Sequence, residues 1–314
     1  MWRFIGAGLS AGESVVFLLV VDSNGSSPGR PGFKMAVREN EMRGSIGGGV
    51  MEVALVERAR DLLKPGASAQ TMPIRQVHRK DSRDGSGMIC SGEQSVLMRL
   101  LNPGDASDIE GVAEALANDR GVLEITPNSF GVVGSTESEG YERIGEENYS
   151  YREKLGRKDS LFIVGGGHCS LALSEIMSKL EFSITVFDDR PNLNTLAKND
   201  FAHRVRIIED YESIGDSIPS GKSNYVVVMT IGYKYDKVVV RELLNKEFGY
   251  FGVLGSKAKM AVLLKELREE GFNPEKLENI HTPIGLRISS RTPAEIAVSI
   301  AAEIIMEKNT GAMR

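Results

Sequence analysis

Apolar residues in this chain fall into short continuous runs, separated by glycine-rich turns and by stretches with helical spacing. That rhythm predicts buried parallel strands alternating with amphipathic helices. The clearest instance is SLFIVGGGHCSLALSEIMSKLEFSITVFDDRP, residues 160–191. Residues 161–164 suit a strand buried on both faces, and Gly165, Gly166 and Gly167 allow a tight turn. From 169 to 180, Leu171, Leu173, Ile176, Met177 and Leu180 fit one broad helix face. Residues 184–187 make a second strand, closed by Asp188 and Asp189. Further strands are predicted at 204–208, 225–229 and 250–254, with helices after the last two. Thr292-Pro-Ala-Glu295 is a capping box with proline at the first helical position, and Ile296, Ile300 and Ile304 line the last helix. The C-terminal half therefore predicts a doubly wound parallel sheet.

The N-terminal half has a different pattern. Residues 1–12 suit a short helix with Trp2, Ile5 and Leu9 on one face, and 15–21 a buried strand. The stretch DSNGSSPGRPG, 22–32, is too rich in glycine and proline for regular structure and reads either as a ligand-holding loop or as a surface connection. Residues 33–37 and 41–46 predict a hairpin leading into Gly47, Gly48 and Gly49 and then a helix on which Val53, Leu55, Val56 and Ala59 are the apolar positions. Strands follow at 70–78 and 94–101, a helix at 106–116, and a closing pair of strands at 121–125 and 130–133. Residues 135–159 carry Glu137, Glu139, Glu142, Glu146 and Glu147 and almost no aliphatic side chain. The expected division is an α/β, mixed-sheet domain over 1–140, a linker over 141–159 and the doubly wound domain over 160–314.

Composition adds bounds. A length of 314 residues suits two domains, each with its own core, and 41% hydrophobic with 26% charged residues is ordinary for a globular chain. A net charge of −5 argues against a general polyanion binder, so nucleic acid is not an expected partner. Cys90 and Cys169 are too few and too far apart for a disulfide framework or a metal-ligand spacing. No signal core opens the chain and residues 15–21 are too short to span a bilayer, which sets the expectation of a cytoplasmic protein without a membrane partner.

Two strand-to-glycine-to-helix junctions carry the candidate chemistry. The first, Gly165-x-Gly167-x-x-Ser170, brings unpaired N–H groups and the positive end of a helix to one point, where a phosphate can bind. Asp188 lies 21 residues beyond Gly167, the distance at which a Rossmann-like fold offers a carboxylate to a ribose hydroxyl. His168 either bonds a phosphate or shuttles a proton, or simply faces solvent; Arg190 is a countercharge or a partner of Asp188 or Asp189. Loops after the later strands place Thr230, Asp236, Gly255 and Ser256 at the same sheet edge, where Asp236 and Ser256 also read as helix caps. The second junction is Gly47, Gly48 and Gly49 with Glu52 in the following first turn, an acid that is either a ligand or a complement to the helix dipole. Cys90 sits in a glycine-flanked segment and is either a ligand-facing thiol or a small core residue.

Taken together, several stretches resemble the xanthine dehydrogenase accessory factor family, the XdhC/CoxI type. They are Gly25-Ser-Ser-Pro28, Gly44-Ser-Ile-Gly-Gly-Gly49 with Glu52, Cys90 before Gly92, Gly165-Gly-Gly-His168 and Asp188-Asp-Arg-Pro191. Later in the chain come Tyr250-Phe-Gly-Val-Leu-Gly-Ser256, Pro283-Ile-Gly-Leu286 and Thr292-Pro-Ala-Glu-Ile-Ala-Val-Ser299. The resemblance covers nearly the whole chain. It implies a protein that binds molybdenum cofactor (molybdopterin or a dinucleotide form of it), supports its sulfuration by a cysteine desulfurase and inserts it into a xanthine dehydrogenase-type molybdenum hydroxylase. It also implies a homodimer. Two departures stand out: Val50 occupies a position where many relatives have cysteine, and Ser91-Gly92 replaces a pair of glycines. The competing expectations are an NAD(P)-dependent oxidoreductase, resting on the Gly165 turn and Asp188, and a nucleotide-sensing module.

Overall fold

The structure is a computed structural model that describes residues 1–66, 72–78, 92–135, 138–145, 147–157, 159–180 and 182–311. The chain divides into two compact units, Met1–Gly156 and Arg157–Arg314. Among the described residues no helix is long and apolar enough to cross a membrane.

In the first unit, β1 (Val15–Gly25), β2 (Lys34–Val37), β3 (Met42–Gly44), β4 (Ile74–His78) and β5 (Gly92–Leu101) form an antiparallel sheet in the order β3-β2-β1-β5-β4. The continuous apolar run that opens β1 follows from its central place. Val15, Phe17, Leu19 and Val21 pack on one face with Ile5 and Leu9 of α1 (Trp2–Ser10). On the other face Val16, Leu18 and Val20 meet Leu55, Val56 and Ala59 of α2 (Gly49–Leu62). The next helix, α3 (Ala106–Ala117), adds Ile109, Val112 and Ala115 to the first of these cores.

A second antiparallel sheet, β6 (Val122–Ile125), β7 (Phe130–Val133), β8 (Gly140–Ile144) and β9 (Asn148–Lys154), has the order β7-β6-β9-β8. Two expectations change here. The acidic stretch read as a linker supplies β8 and β9, because Tyr149 and Tyr151 alternate into the core while Glu142 of β8 faces water. The stretch read as an irregular loop begins with strand: Asp22, Ser23, Asn24 and Gly25 continue β1 by pairing with residues 92–95 after an irregularity between Val20 and Asp22.

The second unit holds five parallel strands, β10 (Asp159–Val164), β11 (Phe182–Asp188), β12 (Arg204–Ile207), β13 (Gly221–Val228) and β14 (Phe248–Val253), in the order β12-β11-β10-β13-β14. Its helices are α4 (His168–Met177), α5 (Asn194–Ala197), α6 (Ile214–Ser217), α7 (Tyr233–Leu243), α8 (Lys257–Glu269), α9 (Pro274–Glu278) and α10 (Pro293–Gly311). Helices α4 and α10 cover one face, while α6, α7, α8 and α9 cover the other. This is the α/β, Rossmann-like doubly wound arrangement that the hydrophobic pattern predicts. Successive strands add outward from β10 to β12 and then restart beside β10 with β13, so a topological switch point lies between β10 and β13. One edge of the sheet, β12, has all four residues exposed. The β14 edge is covered by residues 281–284, where the His281 N–H donates to the Phe251 carbonyl and the Ile284 N–H to the Val253 carbonyl.

Candidate functional site

The turn after β10 ends at the switch point, and its glycines differ in what they do. Gly165 has φ +112°, and a Cβ there would lie 2.3 Å from the Met229 carbonyl oxygen, so only glycine fits against the end of β13. A Cβ on Gly166 would meet Leu196 at 2.5 Å. Gly167 precedes α4 with nothing within 4 Å of its missing side chain. Helix α4 has no side-chain cap, so its first-turn N–H groups and dipole end stay available to an anion. His168 begins this helix and is exposed. Behind it, burial raises the Cys169 thiol above its ordinary pKa, which keeps it protonated.

Asp188 is fully buried at the end of β11, and both its oxygens are occupied. Oδ2 accepts from the Gly166 N–H at 2.6 Å and from Arg190 Nη2 at 2.8 Å; Oδ1 accepts from the Arg190 N–H at 2.9 Å and Nε at 2.8 Å. Burial pushes its pKa up, but the Arg190 guanidinium and the two backbone donors outweigh that and hold the carboxyl below its usual value. Four bonds fill the lone pairs of a carboxylate. The residue expected to reach a ribose hydroxyl thus braces the glycine turn, and Arg190 pairs with it. Asp189, half-buried, accepts from the Tyr211 hydroxyl at 3.1 Å.

The loop after β13 joins the same edge, since Gly165 packs against the peptide between Met229 and Thr230. Asp236 Oδ1 accepts from the Thr230 N–H at 3.1 Å and hydroxyl at 2.6 Å, and Oδ2 pairs with Lys259 Nζ at 2.7 Å. Ser256 caps α8 by accepting the Lys259 N–H at 3.3 Å. Gly255, just before it, leaves room for Met260 and for the Lys259 stem. Lys259 escaped the sequence reading. Its signal was a lysine in the first turn of a helix, where the dipole disfavours a cation.

The other junction is built in the first unit. A Cβ on Gly47 would lie 2.5 Å from the Gly29 nitrogen, so the two loops touch backbone to backbone. Glu52 Oε2 accepts from the Ser45 hydroxyl at 2.7 Å and from the N–H groups of Ile46 and Gly48, each at 2.9 Å. Burial raises its pKa, and these three bonds together lower it below the usual value. All three bonds fall on Oε2, so Glu52 shapes the glycine turn in addition to complementing the helix dipole. Gln94, 2% exposed and absent from the sequence reading, accepts from the Ser27 hydroxyl and the Gly29 N–H and donates to Gln76. Nothing local in the sequence marks an amide that binds across 67 positions. Gly48 and Gly49 have φ +75° and +71°, and Val50 is 59% exposed. Cys90 lies outside the described residues.

The family models fit this division. One described as the XdhC Rossmann domain matches residues 161–304, the sheet with the Gly165 turn. Another, described as the XdhC and CoxI family, matches residues 9–74, which include the Gly47 turn and Glu52. The chain belongs to the XdhC/CoxI family. Over 297 residues it is 25% identical to the uncharacterized protein YqeB of Escherichia coli strain K12, covering 92% of this chain and 43% of YqeB. This XdhC/CoxI chain thus spans less than half the length of that relative. It is 24% identical to a probable xanthine dehydrogenase subunit of Bacillus subtilis strain 168, covering 94% of each. A solved structure titled as a xanthine dehydrogenase from Bacillus halodurans shares the fold at TM-score 0.72 and 22% identity, covering 98% of this chain and 96% of that one.

Proposed function

We propose that this XdhC/CoxI protein is an accessory factor that binds molybdenum cofactor and delivers it to a xanthine dehydrogenase-type molybdenum hydroxylase. The observation that carries the reading is the uncapped Gly165–Gly167 turn at the switch point, in a chain of this family. The cofactor is cargo, and its chemistry fits: a pterin phosphate is anionic, and the start of α4 offers backbone donors and a dipole end. Support from a cysteine desulfurase for sulfuration, a homodimeric state and contact of Cys90 with the cofactor belong to the same proposal. The NAD(P) alternative loses its acid, because Asp188 is committed to Gly166 and Arg190.

Anaerobic equilibrium binding of molybdenum cofactor, beside NADH, tests it on the wild type and Cys90→Ala. The expected result is cofactor binding, weakened by the substitution, with no comparable affinity for NADH. NADH binding without cofactor binding would overturn the reading.

A further inference from the structure

We propose that Lys259 supplies the countercharge for the phosphate of the bound cofactor, with Asp236 as its positioning residue. The inference rests on the cofactor-binding reading above. Asp236 is fully buried, and its oxygens are taken by Thr230 and by Lys259, so the carboxylate itself has no access to a ligand. Lys259 is different. An ammonium carries three donors, and among the described residues Asp236 is its one partner, while its side chain is 30% exposed. The charge therefore sits at the sheet's carboxyl edge, one carboxylate away from Thr230, whose peptide packs on Gly165.

Three features hold it there. A Cβ on Gly255 would approach Lys259 Cδ at 3.3 Å and Met260 Cε at 2.5 Å, so the glycine leaves a lane for the lysine stem. Ser256 fixes the backbone of the same turn. Asp236 pins the ammonium, which otherwise stands against the α8 dipole. Lys237 with Glu266 and Glu270, and Arg241 with Glu270, join α7 and α8 as well, so the Asp236–Lys259 pair is one of several bridges between these helices. Arg190 is held differently: it gives two of its five side-chain donors, on Nε and Nη2, to Asp188. What is left at the crevice is a positioned cation with two donors to give, beside helix N-termini that accept an anion.

The test titrates the full chain with molybdenum cofactor, anaerobically, and separately with inorganic pyrophosphate, for the wild type, Lys259→Met, Lys259→Arg and Asp236→Asn. Thermal unfolding is read on each, and a Lys259→Met/Asp236→Asn double variant removes the buried unpaired acid in case the single one is unstable. In Lys259→Met or the double variant, cofactor affinity is expected to fall about 10- to 100-fold, the range of a hydrogen bond to a charged group. Its salt dependence should become shallower, and Lys259→Arg should recover part of the loss. Asp236→Asn is expected to weaken binding while keeping the salt dependence, because the cation is present but no longer held. Cofactor binding at wild-type strength in a folded Lys259→Met protein overturns the inference and leaves the cofactor reading standing. If the wild type binds pyrophosphate but no cofactor, the cofactor reading fails, and loss of pyrophosphate in the variant still supports Lys259 as the anion residue. A wild type that binds neither probe overturns both.

Discussion

At the scale of single residues, three adjacent glycines make three different predictions. Gly165→Ala places a Cβ against the Met229 carbonyl at a positive φ, so a loss of more than about 1 kcal/mol is expected in chemical denaturation. Gly167→Ala meets open space at φ −75° and should cost less than about 1 kcal/mol, the ordinary penalty of alanine before a helix. Equal costs would show that the turn is set by something other than the approach of β10 to β13. Asp188 adds a pH-dependent case. Its folded pKa is lowered, so its stabilisation is complete above the unfolded value of about 3.9 and is lost as the pH falls through the folded one. Asp188→Asn should therefore be less stable than wild type at neutral pH by about 1–3 kcal/mol, the cost of unpaired buried donors, and the gap should narrow as the pH falls below about 4. Urea melts at pH 7 and pH 3 measure both.

Elements differ in how much of them can be read without coordinates. β10, α4 and β11 were legible because burial on both faces of a parallel strand leaves an uninterrupted apolar run, and because φ > 0 restricts the turn to glycine. β8 and β9 were not, since a strand with one wet face carries glutamates, and the alternating tyrosines that anchor it give a weaker signal than aliphatic residues. The site divides in the same way. Backbone features (the two glycine turns and the helix starts) were visible, whereas the side chains that hold them act over long sequence separations: Gln94 on Ser27, Lys259 on Asp236, Arg190 against Gly166 through Asp188. Gln94→Ala tests one of these. It leaves the buried Gly29 N–H without its acceptor and should cost about 1–3 kcal/mol in global stability. It should also raise amide exchange at Gly29, in the loop after β1, relative to the wild type. Unchanged exchange there would remove Gln94 as the brace between the two loops.

For the molecule as a whole, the division falls at Gly156 and Arg157, and among the described residues each unit has its own buried clusters. Residues 157–314 expressed alone are expected to unfold in one cooperative transition; a non-cooperative melt would mean that the second unit depends on the first. The parallel sheet in that unit has one covered edge and one open one. At the open edge, β12 reads Arg-Val-Arg-Ile with every side chain in water, and Val205 and Ile207 are 41% and 47% exposed. An unpaired strand with two aliphatic side chains invites another chain to anneal to it. Arg204 and Arg206 oppose that, because two such edges brought together would set like charges side by side. Replacing both arginines with threonine leaves a neutral Thr-Val-Thr-Ile-Ile stretch of high strand propensity, and light scattering should report aggregation at concentrations where the wild type stays clear. Clear solutions of that variant would mean that something other than the two guanidinium groups at this rim lets the sheet end at its fifth strand.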